Sequence, residues 1–277
     1  MGVLLFAASC NIINPAEPTP AYLNIDSIFL ATNPPLQGTN SNKIKDAWVY
    51  IDNNPIGVYE LGTTFPVLET GTHKLSYQAG VLLNGINATH IAYPFFQFIS
   101  KDITLDAGKV TFVTNDTTTY YQGNEFPLID GFEGLMNFDR GDNSDTVMIF
   151  ESDATKIFEG NKCGALILDT AQFRFEIKSQ QLTLPKGTHN VYLEMNYRNN
   201  IPFQVLLQAE DNAGSKIKNS IITLNPIDEW NKIYIELSPT IVATPNAKYF
   251  RLLFGTSRTN VSTRGELYFD NIKIVNN

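Results

Sequence analysis

Apolar and polar residues alternate with a period of two along most of the chain, whereas sustained helical periodicity is hard to find. Strands are predicted at residues 47–51, 74–77, 110–113, 191–197 and 267–274, with Gly, Asn and Pro turns between such runs. Short strands at this density are typical of β-sandwiches and barrels. The pattern therefore predicts an all-β fold class.

The chain length suggests more than one folded unit. At 277 residues it exceeds the usual single-domain size of about 100 to 200 residues. A polar stretch at residues 117–124 closes one group of predicted strands before another opens. We therefore expect domains at residues 21–123 and 125–277, and one large sandwich is the alternative.

Charge excludes one class of partner. The net charge is −8 and only 17% of the residues are charged, so the sequence offers no basic run that could neutralise phosphates. Nucleic acid is not an expected partner. No apolar stretch approaches the roughly 20 residues that span a bilayer.

The first ten residues form a short apolar run that ends in Ala7-Ala8-Ser9-Cys10. This run resembles the lipobox of bacterial lipoproteins, and the resemblance implies an acylated Cys10, a signal segment at 1–10 and an outer-membrane lipoprotein facing the periplasm or the cell surface. The segment lacks the Lys or Arg of a signal peptide, so we expect the natural start to lie upstream. Residues 11–20 contain three prolines and are predicted to form a tether. The alternative is a buried first strand.

The predicted first domain contains a strand, an Asp-Asn-Asn turn, a short strand and a Gly-Thr-His-Lys-Leu segment between residues 46 and 80. This arrangement resembles the PEGA-type and related small Ig-like β-sandwich domains of bacterial envelope proteins. It names no ligand. His73 and His90 belong to no metal motif, and the aromatic run at 93–98 is expected to be core, with an exposed patch for a partner as the alternative.

The second domain contains Phe-Glu-Gly at 132–134, an apolar strand at 163–168, and the segments WNKIYIEL at 230–237 and LYFDNIKI at 267–274. Together these segments resemble the jelly rolls of non-catalytic carbohydrate-binding modules and galactose-binding-like domains. The resemblance implies a jelly-roll β-sandwich and a structural calcium whose ligands would be Asp270 with Glu133 or Asp139. The alternative is an Asp270 that accepts main-chain donors.

Alternation predicts which side chains of this domain could meet a sugar. Residues 191, 193, 195 and 197 would point into the core, as would 203, 205, 207 and 209. The candidate ligand-binding residues would point outward from two neighbouring strands and from a third: Tyr192, Glu194, Asn196, Gln204, Gln208 and Arg251. Arg174 and Glu176 are expected to share that polar face, with Tyr192 as the stacking platform. An ordinary solvated sheet face is the alternative.

No catalytic motif occurs in the chain. It lacks a Gly-x-Ser-x-Gly elbow, a Gly-rich phosphate loop and His-Glu-x-x-His. Two carboxylates from distant strands could still hydrolyse a glycoside, but we expect no enzyme. Cys163 heads an apolar run without a neighbouring His and is predicted to be a small buried hydrophobe.

These observations and resemblances favour an envelope lipoprotein of Bacteroidota type, attached to the membrane only through its lipid, whose jelly roll binds a glycan or a glycosylated surface without catalysis. A structural or accessory subunit that docks onto another envelope protein, such as a transport or secretion complex, is the alternative. Exposed aromatic residues on the sheet would favour sugar, whereas a contiguous apolar patch on the first domain would favour a protein.

Overall fold

The computed structural model describes residues 17–258 and 263–277. The predicted lipidation site Cys10 and signal segment lie outside these residues. Up to residue 119 the elements are β1 (Ala21–Ile25), β2 (Ile28–Ala31), α1 (Pro34–Gln37), β3 (Asp46–Ile51), β4 (Asn54–Glu60), β5 (Thr64–Val67), β6 (Gly71–Leu82), β7 (His90–Ala92), β8 (Ile99–Leu105), β9 (Val110–Val113) and β10 (Asp116–Thr119).

The elements that follow are β11 (Glu125–Asp130), β12 (Phe138–Arg140), β13 (Ile149–Glu151), β14 (Cys163–Leu168), β15 (Arg174–Ser179), β16 (Val191–Asn199), β17 (Phe203–Asp211), β18 (Lys216–Leu224), β19 (Ile227–Glu236), α2 (Ser238–Val242), β20 (Ala247–Ser257) and β21 (Gly265–Asn276). The predicted all-β fold class is confirmed. Neither helix of the described residues is long and apolar enough to cross a membrane.

Strands β1 to β10 form a sandwich that we call the N-terminal sandwich. One layer contains β4, β3, β6, β7 and β8, and the other contains the sheets β5-β1-β9 and β10-β2. The β3–β4 hairpin turns through Asp52 and Asn53, whose φ angles of 49° and 67° suit the short left-handed turns that connect antiparallel strands. The Asp-Asn-Asn segment of the sequence thus serves as this turn.

Strands β11 to β21 form the jelly roll, which has two antiparallel sheets. The inner sheet has the order β13-β14-β21-β16-β19 with β11 beside β21, and the outer sheet has the order β12-β15-β20-β17-β18. The predicted inward residues of β16 and β17 all belong to the core between the sheets. That core explains the alternation, since each strand buries every second side chain between the two layers.

The N-terminal sandwich covers the other face of the inner sheet. Its apolar core continues into the jelly roll through Tyr192, Tyr234 and Val275, which are all buried. The Tyr93 ring meets the rings of Tyr192 and Tyr234 edge to face, with centroids 5.5 and 5.0 Å apart. The central strands β16 and β21 of the inner sheet are therefore buried on both faces.

A buried ionic cluster lies within this contact. The Glu194 carboxylate is fully buried and accepts hydrogen bonds from the hydroxyls of Tyr93 and Tyr120, each at 2.8 Å. Its second oxygen lies 3.4 Å from the Lys232 ammonium, which is also buried. Burial lowers the pKa of Lys232, and the Glu194 charge opposes that shift. Tyr93 and Tyr120 come from the N-terminal sandwich, so the cluster joins the two parts.

A second lysine fixes the loop that follows α1. Lys273 on β21 donates from Nζ to the carbonyl oxygens of Gln37 and Thr39, at 2.7 and 3.0 Å. Burial lowers the pKa of Lys273 to about 8. These bonds satisfy a buried ammonium with main-chain acceptors and tie residues 37–39 to the inner sheet.

We expect Glu194→Gln to lower the free energy of unfolding by about 3–5 kcal/mol, because Lys232 would stay buried without its counter-charge. Urea unfolding of the purified protein measures this change. The exposed Glu229, changed to Gln, provides the control and should shift stability by less than about 0.5 kcal/mol. Adding Lys232→Met to Glu194→Gln should restore part of the loss. Equal effects of Glu194→Gln and Glu229→Gln would contradict this account.

Candidate ligand-binding site

Three of the predicted ligand-binding residues lie under the N-terminal sandwich. Tyr192, Glu194 and Asn196 are 5%, 0% and 2% exposed. They do point away from the jelly-roll core, but the Tyr192 ring packs against Tyr93 and Phe95, and Asn196 accepts a hydrogen bond from the Ser41 hydroxyl at 2.8 Å. The expectation that these side chains face solvent is therefore wrong, since another part of the chain covers them.

The expectation that β16 and β17 share one face is also wrong. Strand β16 pairs with β19 and β21 in the inner sheet, whereas β17 pairs with β18 and β20 in the outer sheet. The chain crosses between the sheets after Asn199. The outward residues of β16 thus point toward the N-terminal sandwich, while the outward residues of β17 lie on the opposite side of the jelly roll.

The other predicted residues come together on the outward face of the outer sheet, where Gln204 is exposed and Arg251 is half-buried. Gln208 is only 4% exposed, so the expectation that it faces solvent is wrong. Gln208 on β17 lies opposite Arg251 on β20, and Gln204 lies opposite Gly255. Gly255 in turn lies opposite Glu176 on β15. Directly paired residues share a face of a sheet, so Gln204, Gln208, Arg251 and Glu176 all project from the same side, as the sequence predicted.

An open groove of about 430 Å³ crosses this face. Its floor includes Leu206 and Gly255, where an added Cβ would lie 3.4 Å from the Phe175 carbonyl oxygen. Its polar lining is formed by Asn143, Arg174, Glu176, Gln204, Thr223, Thr256 and Ser257. Guanidinium, carboxylate, amide and hydroxyl groups from several strands thus converge on one depression, which is a suitable set for a ligand with many hydroxyl groups.

Aromatic side chains contribute little to this surface. Phe175 and Phe203 touch the groove but are each only 1% exposed, because they point into the core. Tyr249 projects from the outer face beside Glu210, but it is half-buried and the Lys248 ammonium lies 5.0 Å from its ring centroid. The stacking platform expected at Tyr192 has no equivalent in the groove.

Ion pairs cross the outer face. The Lys218 ammonium on β18 lies 2.8 and 2.7 Å from the two oxygens of Glu176 on β15. Lys178 contacts Asp142 at 3.2 Å, and Arg174 lies 3.6 Å from Asp145. The Lys218–Glu176 pair spans two intervening strands, so it lies across the middle of the sheet.

The lysines were not among the residues selected from the sequence. Lys216, Lys218 and Ser220 alternate along β18 and point outward, a period-two signal that was present in the sequence. What was missing was the order of the strands, which places β18 beside β17 at the edge of the outer sheet.

The predicted calcium ligands are divided between the sheets. Asp139 lies on β12 of the outer sheet, opposite Lys178, whereas Asp270 lies on β21 of the inner sheet. Asp270 accepts main-chain N–H groups of Asn271 at 2.8 Å and Glu159 at 3.4 Å. Such bonds correspond to the alternative of an Asp270 that satisfies main-chain donors.

Burial is the main reason that the pKa of Asp270 is raised to about 7, and the charges of Glu159 and Glu133 raise it further. The Glu133 carboxylate accepts the N–H groups of Asn161 and Lys162 at 2.6 and 3.0 Å. Across residues 17–258 and 263–277, no group of three or more His, Cys, Asp or Glu is arranged to hold a metal. Calcium at this corner stays a prediction.

The remaining reactive side chains have structural contacts. His73 pairs with Asp52 at 2.7 Å and His90 pairs with Asp46 at 2.5 Å. Cys163 is buried, which confirms the prediction, and burial raises the pKa of its thiol to about 12. A thiol that stays protonated and buried is a poor nucleophile.

Comparison with known proteins identified no matching family model. No curated protein matches the sequence either. Among solved structures, one described as carbohydrate-binding modules of the β-sandwich superfamily is 16% identical, over 82% of this chain and 83% of that chain, with a TM-score of 0.40.

A family 11 carbohydrate-binding module from Clostridium thermocellum, in complex with a β-1,3-1,4-mixed-linked tetrasaccharide, is 12% identical over 55% of this chain and 94% of that chain, with a TM-score of 0.38. The enzymatically active domain of tailspike protein 4 from bacteriophage CBA120 is 14% identical over 52% of this chain, with a TM-score of 0.42, and the match spans only 20% of the tailspike chain. We draw no functional conclusion from similarities at this level.

Calcium removal tests the predicted pair Glu133 and Asp270. We expect a chelator to lower the Tm, because a bound ion would relieve the repulsion among Asp270, Glu133 and Glu159. Asp270→Asn should remove this dependence, and the exposed Asp26, changed to Asn, should retain it. Differential scanning calorimetry with calcium and with EDTA provides the measurement. An unchanged Tm in the unsubstituted protein would assign both carboxylates to main-chain contacts alone.

Proposed function

We propose that this protein binds a glycan, without catalysis, through the groove on the outer sheet of its jelly roll. The observation that supports this proposal is the convergence of Arg174, Gln204, Thr223 and Thr256 on an uncovered depression. Sugar hydroxyls both donate and accept hydrogen bonds, so they suit a surface that mixes guanidinium, amide and hydroxyl groups. The N-terminal sandwich occupies the other side of the jelly roll and leaves this face open.

The proposal includes attachment to the outer membrane through a lipid on Cys10, on the periplasmic or the cell-surface side. The lipobox-like run at residues 3–10 supports this attachment, and residues 11–20 would provide the tether. We propose a domain boundary near residue 124, because every sheet takes all of its strands either from residues before 124 or from residues after it.

The absence of a stacking platform changes which side chains carry the binding. Tyr192 is removed from the site because it is buried against Tyr93, and Arg251 donates to the Ser179 carbonyl oxygen at 2.7 Å. The direct contacts would therefore come from Gln204 and Arg174, whose side chains are exposed. The ligand would be held by hydrogen bonds and charge more than by aromatic surface.

A docking function has its own supporting observation. Tyr22 on β1 lies between Pro66 on β5 and Val110 on β9, and Phe112 follows on the same face of β9. Phe112 is 66% exposed and Val110 is 41% exposed. This apolar strip on the N-terminal sandwich supports the second candidate, an accessory subunit that docks onto another envelope protein. Photo-crosslinking from position 112 in cells, with position 122 as control, tests it.

We expect residues 17–277 to bind at least one member of a broad polysaccharide panel, and Gln204→Ala and Arg174→Ala each to weaken that binding about tenfold, the loss of one or two hydrogen bonds. Isothermal titration calorimetry measures the affinities. Gln122→Ala, at an exposed position of the connecting segment, is the matched control and should bind normally. Absence of binding to every polysaccharide of the panel would contradict the glycan proposal and favour the docking function.

A further inference from the structure

Cations are concentrated on the free face of the outer sheet. Five cationic side chains project from it, on β15, β18 and β20: Arg174, Lys178, Lys216, Lys218 and Arg251. The paired positions of the same face carry three carboxylates, on Asp139, Glu176 and Glu210. Asp142 and Asp145, which contact Lys178 and Arg174, bring the carboxylates of this face to five. Five cations and five carboxylates give a net charge of zero there, whereas the whole chain has a net charge of −8.

The lysines of this face act on a common region. The hydrogen bond and charge of Lys178 hold the pKa of Asp142 below its usual range, and the charges of Lys218 and Lys216 add to this effect. All three ammonium groups therefore lie close enough to influence one carboxylate at the edge of the groove. Such a group of cations attracts anions, although Asp142 and Glu176 already contact Lys178 and Lys218.

Two cations of the face differ from the others, although Lys216 lies opposite Glu210 on β17. Within the described chain, neither Lys216 nor Arg251 makes an ion pair with an Asp or Glu. Arg251 lies in the same row as Lys218, with Gln208 between them on β17. The row thus alternates cation, amide and cation across three strands. Neighbouring strands in a sheet lie about 4.8 Å apart, so the Cα atoms of Arg251 and Lys218 are roughly 10 Å apart.

The groove offers little exposed aromatic surface, and this also favours a charged ligand. Ligands that lack charge depend on aromatic faces to cover the apolar side of each ring, and the aromatic residues that touch the groove, Phe175 and Phe203, are buried. A charged ligand gains instead from charge-assisted hydrogen bonds to Lys and Arg. A polysaccharide that carries an anionic group on each repeat could therefore pair with cations on several strands of the sheet.

We propose that the free face of the outer sheet takes an anionic polysaccharide, whose carboxylate or sulfate groups pair with Lys216, Lys218 and Arg251. These three side chains lie outside the groove lining, and Lys218 is linked to the groove through its contact with Glu176. A ligand anion replaces Glu176 as the partner of Lys218. It meets Lys216, and the part of the Arg251 guanidinium that does not donate to the Ser179 carbonyl oxygen, without displacing any protein carboxylate. This inference rests on the proposed glycan-binding function, because it assigns a ligand class to the same face of the outer sheet.

Matched polysaccharides test the charge directly. Residues 17–277, which contain both sandwiches, are titrated with polygalacturonate and with its methyl ester, and with dextran sulfate and with dextran. Within each pair the backbone is the same and only the anionic group differs. We expect the charged member of at least one pair to bind at least tenfold more tightly. That binding should weaken about tenfold between 50 and 500 mM NaCl, because salt screens exposed charges.

Variants locate the interaction. Lys216→Gln and Lys218→Gln should each weaken binding of the charged polysaccharide about fivefold, the effect of one partly exposed charge contact, and the double variant should weaken it further. Lys109→Gln is the control, since Lys109 is 73% exposed on the N-terminal sandwich. We expect an unchanged Tm for each variant, because these lysines are exposed on the edge strand β18. That result would show that the fold is retained.

The outcomes separate the two proposals. Equal binding of charged and uncharged members overturns the anionic ligand and leaves the glycan-binding function standing. A charged polysaccharide whose binding falls as much in Lys109→Gln as in Lys216→Gln also overturns the inference, because attraction to scattered lysines would explain it. Absence of binding to every polysaccharide of the broad panel overturns the proposed function itself.

Discussion

The burial of Glu194 between the two sandwiches constrains the rest of the molecule. A fully buried carboxylate is tolerated only with partners, and here the partners come from both parts of the chain: Tyr93 and Tyr120 from one, Lys232 from the other. A shift of one sandwich against the other that kept the contact dry would leave charges and hydroxyls without bonds in an apolar contact. The relative placement of the two sandwiches therefore follows from electrostatics as much as from the aromatic packing of Tyr192 and Tyr234.

This contact also decides which surfaces remain for a ligand. Strands β16 and β21 at the centre of the inner sheet lose both of their faces, one to the jelly-roll core and one largely to the N-terminal sandwich. Glu194, Asn196 and Lys273 therefore have structural partners within the protein. The outer sheet keeps a free face with Gln204, Arg174 and the lysines of β18. An acidic protein thus presents, on the side that its own folding leaves open, a surface whose positive and negative side chains balance.

Alternation in the sequence was sufficient to predict the all-β fold, the inward residues of β16 and β17, and the shared face of Gln204, Gln208 and Arg251. It could not reveal the position of Tyr192, because a period of two separates the faces of a strand without stating what covers each face. Nor could it show that β16 and β17 lie in different sheets, since that depends on hydrogen-bond partners distant in sequence. The lysines of β18 were overlooked for the same reason, as their proximity to Glu176 arises only across two other strands.

The position of the buried cluster has a mechanical consequence. In a protein held at its N-terminus and loaded at the groove, tension passes from the outer sheet through the jelly-roll core to the inner sheet, and then across the Glu194 contact to the N-terminal sandwich. No covalent cross-link reinforces that path within the described residues, where Cys163 is the free cysteine. The joint would resist a pull through side-chain bonds that break together, so it would act as the element that sets the force at which the two sandwiches separate.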